Sequence, residues 1–446
     1  MSHANLLNLL SDLIADARKS GADAADALVV DGTSVSVTSR LGKLEQLERS
    51  EGGDIGLRVL IGKRQAIVSS ADRSKDALKE LVERAVAMAR TVPEDPYCGI
   101  AEPGQLAKSL PALDICDPAE ISAETLIEKA QACEAAARDV KGVTNSEGAS
   151  AAWGKSQVAI AASNGFSRAY ESSGSSMSVS VIAGDDDGME TDYDYTTAVY
   201  FADMKDPGEV GLNAGTRAVR KLGGRKISSR KVPVIFDARV ARGLVGHFLG
   251  AISGSSIARG TSFLKDAMGT QVFAAGLNIF EDPHRNRGLR SKPCDGEGLA
   301  NKSRALIDKG VLTTWILNLS SARQLKLEPT GHATRGTGSP PSSGTTNVWL
   351  EAGKVTPAEL MSDIKDGLFV TDLVGQGVNG VTGDYSRGAV GFWIENGQLT
   401  YPVHEITVAG NLKDMFKRLA PANDLELRYG VDAPTLRIDG LTLAGT

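Results

Sequence analysis

The sequence predicts an α+β protein of two domains, with largely antiparallel or mixed β-sheets and helices packed on them. Three observations carry this. The chain has 446 residues, more than a single hydrophobic core usually serves. Short segments that alternate apolar and polar residues recur in both halves, punctuated by Gly, Asp and Asn. Between them stand stretches with the apolar spacing of one-sided helices. The basic connector GGRKISSRK marks the boundary, giving an N-terminal α+β domain over residues 1–225 and a C-terminal, β-rich α+β domain over residues 226–446.

In the opening stretch, Leu6, Leu7, Leu9, Leu10, Leu13 and Ile14 gather on one broad helical face. The acids among them suit a docking helix better than a secretion signal. ADALVV, TSVSVTS, KLEQLERS, DIGLRVLIGK and RQAIVSS then read as successive strands of an antiparallel meander. A helix near residues 74–91 presents Leu78, Leu81, Val82, Ala85, Val86 and Met88 to that sheet, and a second follows Asp117 or Ser122 through TLIEKAQACEAAARDV. Further strands lead to GDDDGMETDYDY (184–195), whose clustered acids lack the spacing of a calcium loop and read as a solvated hairpin turn. A helix near 207–221 closes the first domain.

The second domain opens with the strand VPVIF and a helix from Ala238. ALIDKGVLTTWILNLSSARQLKL reads as two strands about a DKG turn and a short helix. Residues 336–346, rich in Gly, Ser and Pro, read as a mobile loop before the strand NVWLEAG. TPAELMSDIKD reads as a helix, and the chain ends in β segments with a turn at Asn396 and Gly397.

The 49 Lys and Arg against 55 Asp and Glu leave a net charge of −6, which argues against direct nucleic-acid or electrostatic membrane binding. No apolar run is long enough to span a bilayer. Four scattered cysteines without a CxxC pair suggest neither a zinc ribbon nor a disulfide framework. Together these readings point to a soluble cytoplasmic protein.

The most informative stretch is RGLVGHFLGAISG, residues 242–254. A histidine that binds metal or moves protons from a helix usually has a partner one turn away. Before His247 stand Gly243 and Arg242, and neither can do either task at neutral pH. Val240, Leu244, Val245, Phe248, Leu249 and Ile252 form the core side of this helix. Gly243, Gly246 and Gly250 collect on the opposite side, with His247 on one margin. Interior glycines cost roughly 1 kcal/mol each relative to alanine. Their retention points to close approach by a partner helix, a substrate strand or another subunit, or to tight packing within the domain. A lone histidine at a helix margin is more often structural than a ligand.

GLVGHFLGAISG with GTSFL, PCDGEG, LIDKGVLTTWILNLSSARQLKLEPTGHA, VTGDYSRGAVGFWIENGQLTYPVHEITVAGNLKDMF and PTLRIDGLTL together resemble the TldD/PmbA family, specifically its PmbA (TldE) branch. The resemblance is densest from about residue 230 to the end. It implies a cytosolic assembly in which a TldD-type subunit pairs with a PmbA/TldE-type subunit to cut peptides and small proteins, in precursor maturation and antitoxin removal. It also carries the older description "modulator of DNA gyrase". In TldD-type members the matching helix reads HExxxH, with histidines holding a metal and the glutamate serving as base toward water. Aligned on the shared GH, the first histidine falls at Arg242, the glutamate at Gly243 and the second histidine at His247. The cysteine that TldD-type members carry before the terminal strand is also missing from LELRYGVDAPTLRIDGLTL.

The resemblance therefore implies a subunit with no metal of its own and no confident catalytic residue, zinc or a similar metal being expected in the TldD-type partner. Gly243, Gly246, Gly250, Asn347 and Trp349 are the candidate contacts for substrate or partner, and the isolated chain could form a homodimer. Two alternatives stand beside this. One is an autonomous metallopeptidase with an unconventional site, drawing on His247 or on His284, Cys294, His332 and His404. The other is a regulator linked to DNA gyrase. No GxSxG elbow suggests a serine nucleophile.

Overall fold

The computed structural model describes residues 2–185 and 188–445. The first half contains α1 (His3–Lys19), β1 (Ala24–Arg40), β2 (Lys43–Ile61), β3 (Arg64–Ser70), α2 (Lys75–Thr91), α3 (Ala123–Arg138), β4 (Val143–Ala162), β5 (Ser167–Asp185), β6 (Gly188–Ala198) and α4 (Pro207–Arg220). Its strands form one antiparallel sheet in the order β3-β2-β1-β4-β5-β6. Each helix begins at a side-chain cap: Ser2, Ser74, Ser122 and Asp206 accept from backbone N–H groups of the first turn.

Residues of the same parity along β1 face the helices. Ala25, Ala27 and Val29 pack under α1 and α2, while Val35 and Val37 pack under α3 and α4. The predicted face of α1 is buried at Leu6, Leu10, Leu13 and Ile14. In α2 the buried set includes Leu81, Val82, Ala85 and Val86, and Met88 turns outward.

Two pairs of segments expected as separate strands are single long ones. Gly32 reads as a break in β1 and Gly52 in β2, yet the two glycines sit opposite each other and the pairing passes through them. At the acidic stretch, β5 and β6 form the expected hairpin, with Asp185 opposite Gly188, and the tip at 186–187 lies outside the described residues. The solvated reading holds at Gly188, Met189, Thr191 and Tyr193, which are exposed, and fails at two acids. Asp192 and Asp194 point inward from β6 and are buried, because cations wait for them there.

The second half contains β7 (Arg230–Phe236), α5 (Ala238–Ala251), α6 (Gly254–Ala258), β8 (Ile279–Asp282), β9 (Arg304–Asp308), β10 (Val311–Leu312), α7 (Leu319–Leu325), β11 (Ala333–Thr334), β12 (Ser342–Ser343), β13 (Asn347–Leu350), α8 (Pro357–Met361), β14 (Asp366–Val374), β15 (Asp384–Glu395), β16 (Gln398–Asn411), α9 (Leu412–Lys417), β17 (Leu419–Pro421), β18 (Val431–Asp432) and β19 (Leu436–Ala444). One sheet runs β16-β15-β14-β7-β19-β17 and curls until β16 also pairs with β19. A second runs β10-β9-β8-β13-β18. Asn396 and Gly397 take the positive φ expected of the β15–β16 turn. Among the described residues no helix is long and apolar enough to cross a membrane.

A polar seam joins the halves. Asp26 of β1 accepts from Arg58 Nε of β2 at 3.0 Å and forms an ion pair at 2.5 Å with Arg335 from the second half. Burial alone would raise the Asp26 pKa, but Arg335 and Arg58 hold it below the ordinary carboxylate value. The loop expected to be mobile starts from this anchor. Thr337 bonds Asp54, its backbone lies on Gly56, and β11 pairs with β12. Glycine and proline here shape a docked hairpin.

Candidate functional site

Helix α5 starts at Asp237, whose carboxylate accepts from the Arg239 N–H at 2.9 Å. Its core side is buried as expected at Leu244, Val245, Phe248 and Leu249. Its glycine side is open. A Cβ added at Gly243, Gly246 or Gly250 would meet no atom within 4 Å. Close packing within the domain therefore does not account for these glycines.

Instead Gly243 and Gly246 help to floor a groove of about 530 Å³, also lined by Tyr193, Arg239, Arg242, Arg290, Thr345, Asp372, Arg387 and Val431, while Gly250 is exposed outside that lining. Tyr193 belongs to β6 and Val431 to β18, each the end strand of its sheet. The groove thus runs where the two halves meet.

Its base is an ion cluster that spans both halves. Arg239 Nη1 lies 2.7 Å from Asp192 Oδ1 and Lys221 Nζ lies 2.7 Å from Asp192 Oδ2. Asp372 of β14 receives Lys221 at 2.8 Å and Arg239 at 3.5 Å. Burial would raise the Asp192 pKa, but the two cations beside it hold it down. With Asp372 engaged, the lip of the groove is cationic, carrying Arg242, Arg290 and Arg387.

Arg242 is not free to act as a ligand. Its guanidinium stands 4.6 Å from the Tyr429 ring centre and 5.8 Å from that of Tyr195, a cation–π arrangement. His247, one turn on, meets the edge of Tyr385 at 6.0 Å between ring centres. Burial and the nearby Arg387 charge both push its pKa below the ordinary histidine value. A permanent cation, a residue without a side chain and one histidine beside another cation do not suit a metal ion. The residues on α5 do not fit the metal that HExxxH would hold.

The other candidates are separately engaged. His284 Nε2 is 2.8 Å from Asn301 Oδ1. His332 is buried between Glu281, at 2.5 Å, and Thr330, at 2.7 Å. His404 spans Glu190 at 3.3 Å and the Lys221 carbonyl at 3.2 Å. The Cys294 thiol is buried, which pushes its pKa up to about 12. Among the described residues no three His, Cys, Asp or Glu side chains are grouped to share a metal ion.

Two contact candidates need correction. The Asn347 amide donates to the Asp282 carbonyl and to Ser291, both at 2.8 Å, and accepts from Arg290 N–H at 3.0 Å. Both of its donors are spent and the side chain is buried, so it is not open to a ligand. Trp349 packs on Phe280 with ring centres 5.8 Å apart, and β13 is paired on both sides, by β8 and β18. Neither residue lines the groove, whereas Thr345, in the preceding loop, does. Sequence reading missed Arg290, Arg387 and the Asp192 cluster. The one available signal was the alternation of Asp with Tyr in TDYDY, which places the acids and the rings on opposite faces of a strand.

The fold, with its glycine-floored helix where the two halves meet, defines a chain of metallopeptidase-family type. Comparison with known families agrees: the PmbA/TldA metallopeptidase domain 1, central domain and C-terminal domain match residues 25–89, 116–222 and 229–445. The chain belongs to the PmbA/TldD family, in its PmbA/TldE branch. It is 39% identical over 426 residues to Metalloprotease PmbA of Escherichia coli O157:H7, covering 95% of this chain and 92% of the relative. A crystal structure from Bacteroides thetaiotaomicron, provisionally described as a modulator of DNA gyrase, superposes with TM-score 0.91 at 26% identity over 98% of each chain. TldE from Thermococcus kodakarensis shares the fold, with TM-score 0.87 at 20% identity over 98% of this chain and 100% of that one.

Proposed function

We propose that this chain is the non-catalytic subunit of a two-component metallopeptidase, pairing with a TldD-type chain that brings the metal and the base. The observation that carries this reading is the open side of α5. The helix keeps the family frame around His247, presents Arg242 and Gly243 in place of ligand and base, and leaves Gly243 and Gly246 facing a groove between the two halves. Such a groove accepts an extended peptide close to the helix backbone, where any side chain larger than hydrogen would stand in the way. Of the end strands flanking it, β18 offers its outer edge at Val431 for main-chain hydrogen bonds to that peptide, whereas the Tyr193 N–H of β6 already donates to Asp192 Oδ1 at 2.7 Å.

The test is peptide hydrolysis by the purified chain alone and with a TldD-type subunit added, with metal measured on each sample. The chain alone is expected to be inert and metal-free, and activity to appear in the mixture. Hydrolysis by the chain alone, with stoichiometric metal lost in His247→Ala, would instead establish an autonomous enzyme. A salt-dependent affinity for DNA would be required for a direct nucleic-acid role.

A further inference from the structure

The groove beside α5 gathers more positive charge than the chain itself neutralises. Its lining holds Arg239, Arg242, Arg290 and Arg387 and, among the described residues, one carboxylate, Asp372. Asp372 is taken by Lys221 and Arg239, and Arg239 is further neutralised by Asp192. Among the described residues no carboxylate stands within ion-pair distance of the other three arginines. This is a local excess in a chain whose net charge is −6. Arg242 is partly accounted for, because it rests against Tyr429 and borders an adjoining cavity that Asp424, Glu426 and Asp432 also line. Arg290 and Arg387 line the groove and not that cavity. Arg387, half-buried on β15, donates from Nη2 to the Leu373 carbonyl at 3.2 Å, and its buried Nε has no acceptor. A guanidinium drawn out of water without an anion is costly. Arg290 comes from the loop between β8 and β9 and lays its stem along Gly430, where an added Cβ would stand 2.8 Å from the Arg290 Cδ. Both charges are seated at the groove before a ligand arrives, which lowers the ordering cost of binding.

We propose that the groove selects acidic peptide segments, with Arg290 and Arg387 receiving carboxylate side chains of one extended substrate. This rests on the peptide reading above and names the class of peptide that the groove admits. A terminal carboxylate supplies a single charge, whereas the two arginines enter from separate elements. Acidic side chains along a segment therefore match the site better than a chain end does. The bonds they form are charge-assisted and lie on a part of the substrate that does not react, so they are made equally before and during the chemical step. They act on capture. Losing either arginine raises KM for an acidic peptide in the reconstituted mixture rather than lowering kcat.

The experiment is fluorescence anisotropy with the full chain alone and end-capped peptides of alternating Glu and Ala carrying an uncharged dye, with twins that have Gln or Lys in place of Glu. The Glu peptide is expected to bind about tenfold or more tightly than the Gln twin, by a margin that shrinks as salt rises. Arg290→Gln and Arg387→Gln should each cut that margin about threefold or more. The double variant R290E/R387E should prefer the Lys twin, an inversion that a misfolded chain would not give. Equal affinity for the Glu and Gln peptides, a margin untouched by both single changes, or no inversion in the double variant would overturn the proposal. So would a Gln peptide with a free terminal carboxylate, or a single-stranded DNA oligomer, that displaces the Glu peptide with equal affinity. Hydrolysis in the mixture with a TldD-type subunit separates the two readings. An active mixture with no acidic preference overturns the selectivity and keeps the two-subunit function, while acid-selective binding by the chain with an inert mixture does the reverse.

Discussion

Helices α4 and α5 both carry glycines one turn apart, and the two sets face opposite surroundings. In α4, a Cβ at Gly211 would lie 2.2 Å from the Cys133 carbonyl oxygen, and one at Gly215 would lie 2.6 Å from that of Ala137. These glycines let α4 lie directly on the backbone of α3. In α5 the same residue type meets nothing within 4 Å. Glycine spacing on a helix is therefore ambiguous by itself. It marks a closed interface in one case, and in the other a surface kept bare toward something outside the chain.

The largest expected effect breaks the closed side. Gly211→Ala forces a methyl group onto a backbone oxygen that cannot move without shifting α3. It should cost at or beyond the upper end of the roughly 1–3 kcal/mol typical of overpacking, read as a lowered denaturation midpoint. A loss below ~1 kcal/mol would show that the α3–α4 contact is looser than drawn and would blur the contrast with α5.

A second change probes the closed seam between the halves through pH. Glu297 is buried near Asp295, and burial, reinforced by that neighbour, raises its pKa from 4.5 to about 7. Its carboxylate accepts the Leu319 N–H at 2.8 Å. The folded chain therefore holds this proton more tightly than the unfolded one. The stability it contributes is fully present below the unfolded value of 4.5 and is lost as pH rises through about 7, up to ~3 kcal/mol. Glu297→Gln keeps the acceptor and removes the titration. Its Tm should exceed wild type at pH 8 and converge with it near pH 4.5. A constant difference across that range would mean that Glu297 is solvated.

On the open side the sign reverses. Gly246→Ala fills no occupied space and replaces the poorest ordinary helix former with the best, so the isolated chain should gain about 1 kcal/mol. Gly246→Leu should also leave the fold largely intact. Both should reduce activity in the reconstituted mixture, leucine more than alanine, through substrate capture or assembly. Undiminished activity with Gly246→Leu would remove α5 from the peptide path.

Much of this contrast was legible before the fold was known, and its limits were physical. Apolar periodicity located α1, α2 and the core side of α5, because burial of one face leaves a direct trace in one stretch of chain. The loss of ligands at Arg242 and Gly243 was equally visible. What could not be read was anything set by two distant segments. Gly32 looks like a break in a strand until Gly52 is placed opposite it. The loop at 336–346 looks mobile until Arg335 meets Asp26. Asn347 and Trp349 look available because their partners Asp282, Ser291 and Phe280 lie some 60 residues away in the chain. Arg387 and Arg290 join the groove from separate elements, and no local pattern announced them.

The smallest expected effect concerns His247 and runs opposite to that of Glu297. Burial and the Arg387 charge lower its pKa in the folded chain, so folding favours the neutral ring. As pH falls through the unfolded value of about 6.5, the unfolded chain takes up a proton that the folded chain resists, and stability declines until the folded pKa is reached. His247→Gln should remove this slope, with a Tm difference from wild type that changes by about a degree or two between pH 7.5 and pH 5. Because the ring is only partly buried at the groove margin, an anionic peptide segment near Arg387 should offset that charge and raise the His247 pKa. The proton resonances of His247 would report it directly. A titration unchanged by an acidic peptide that does bind would mean that the peptide passes elsewhere, and the open face of α5 would then lose its proposed occupant.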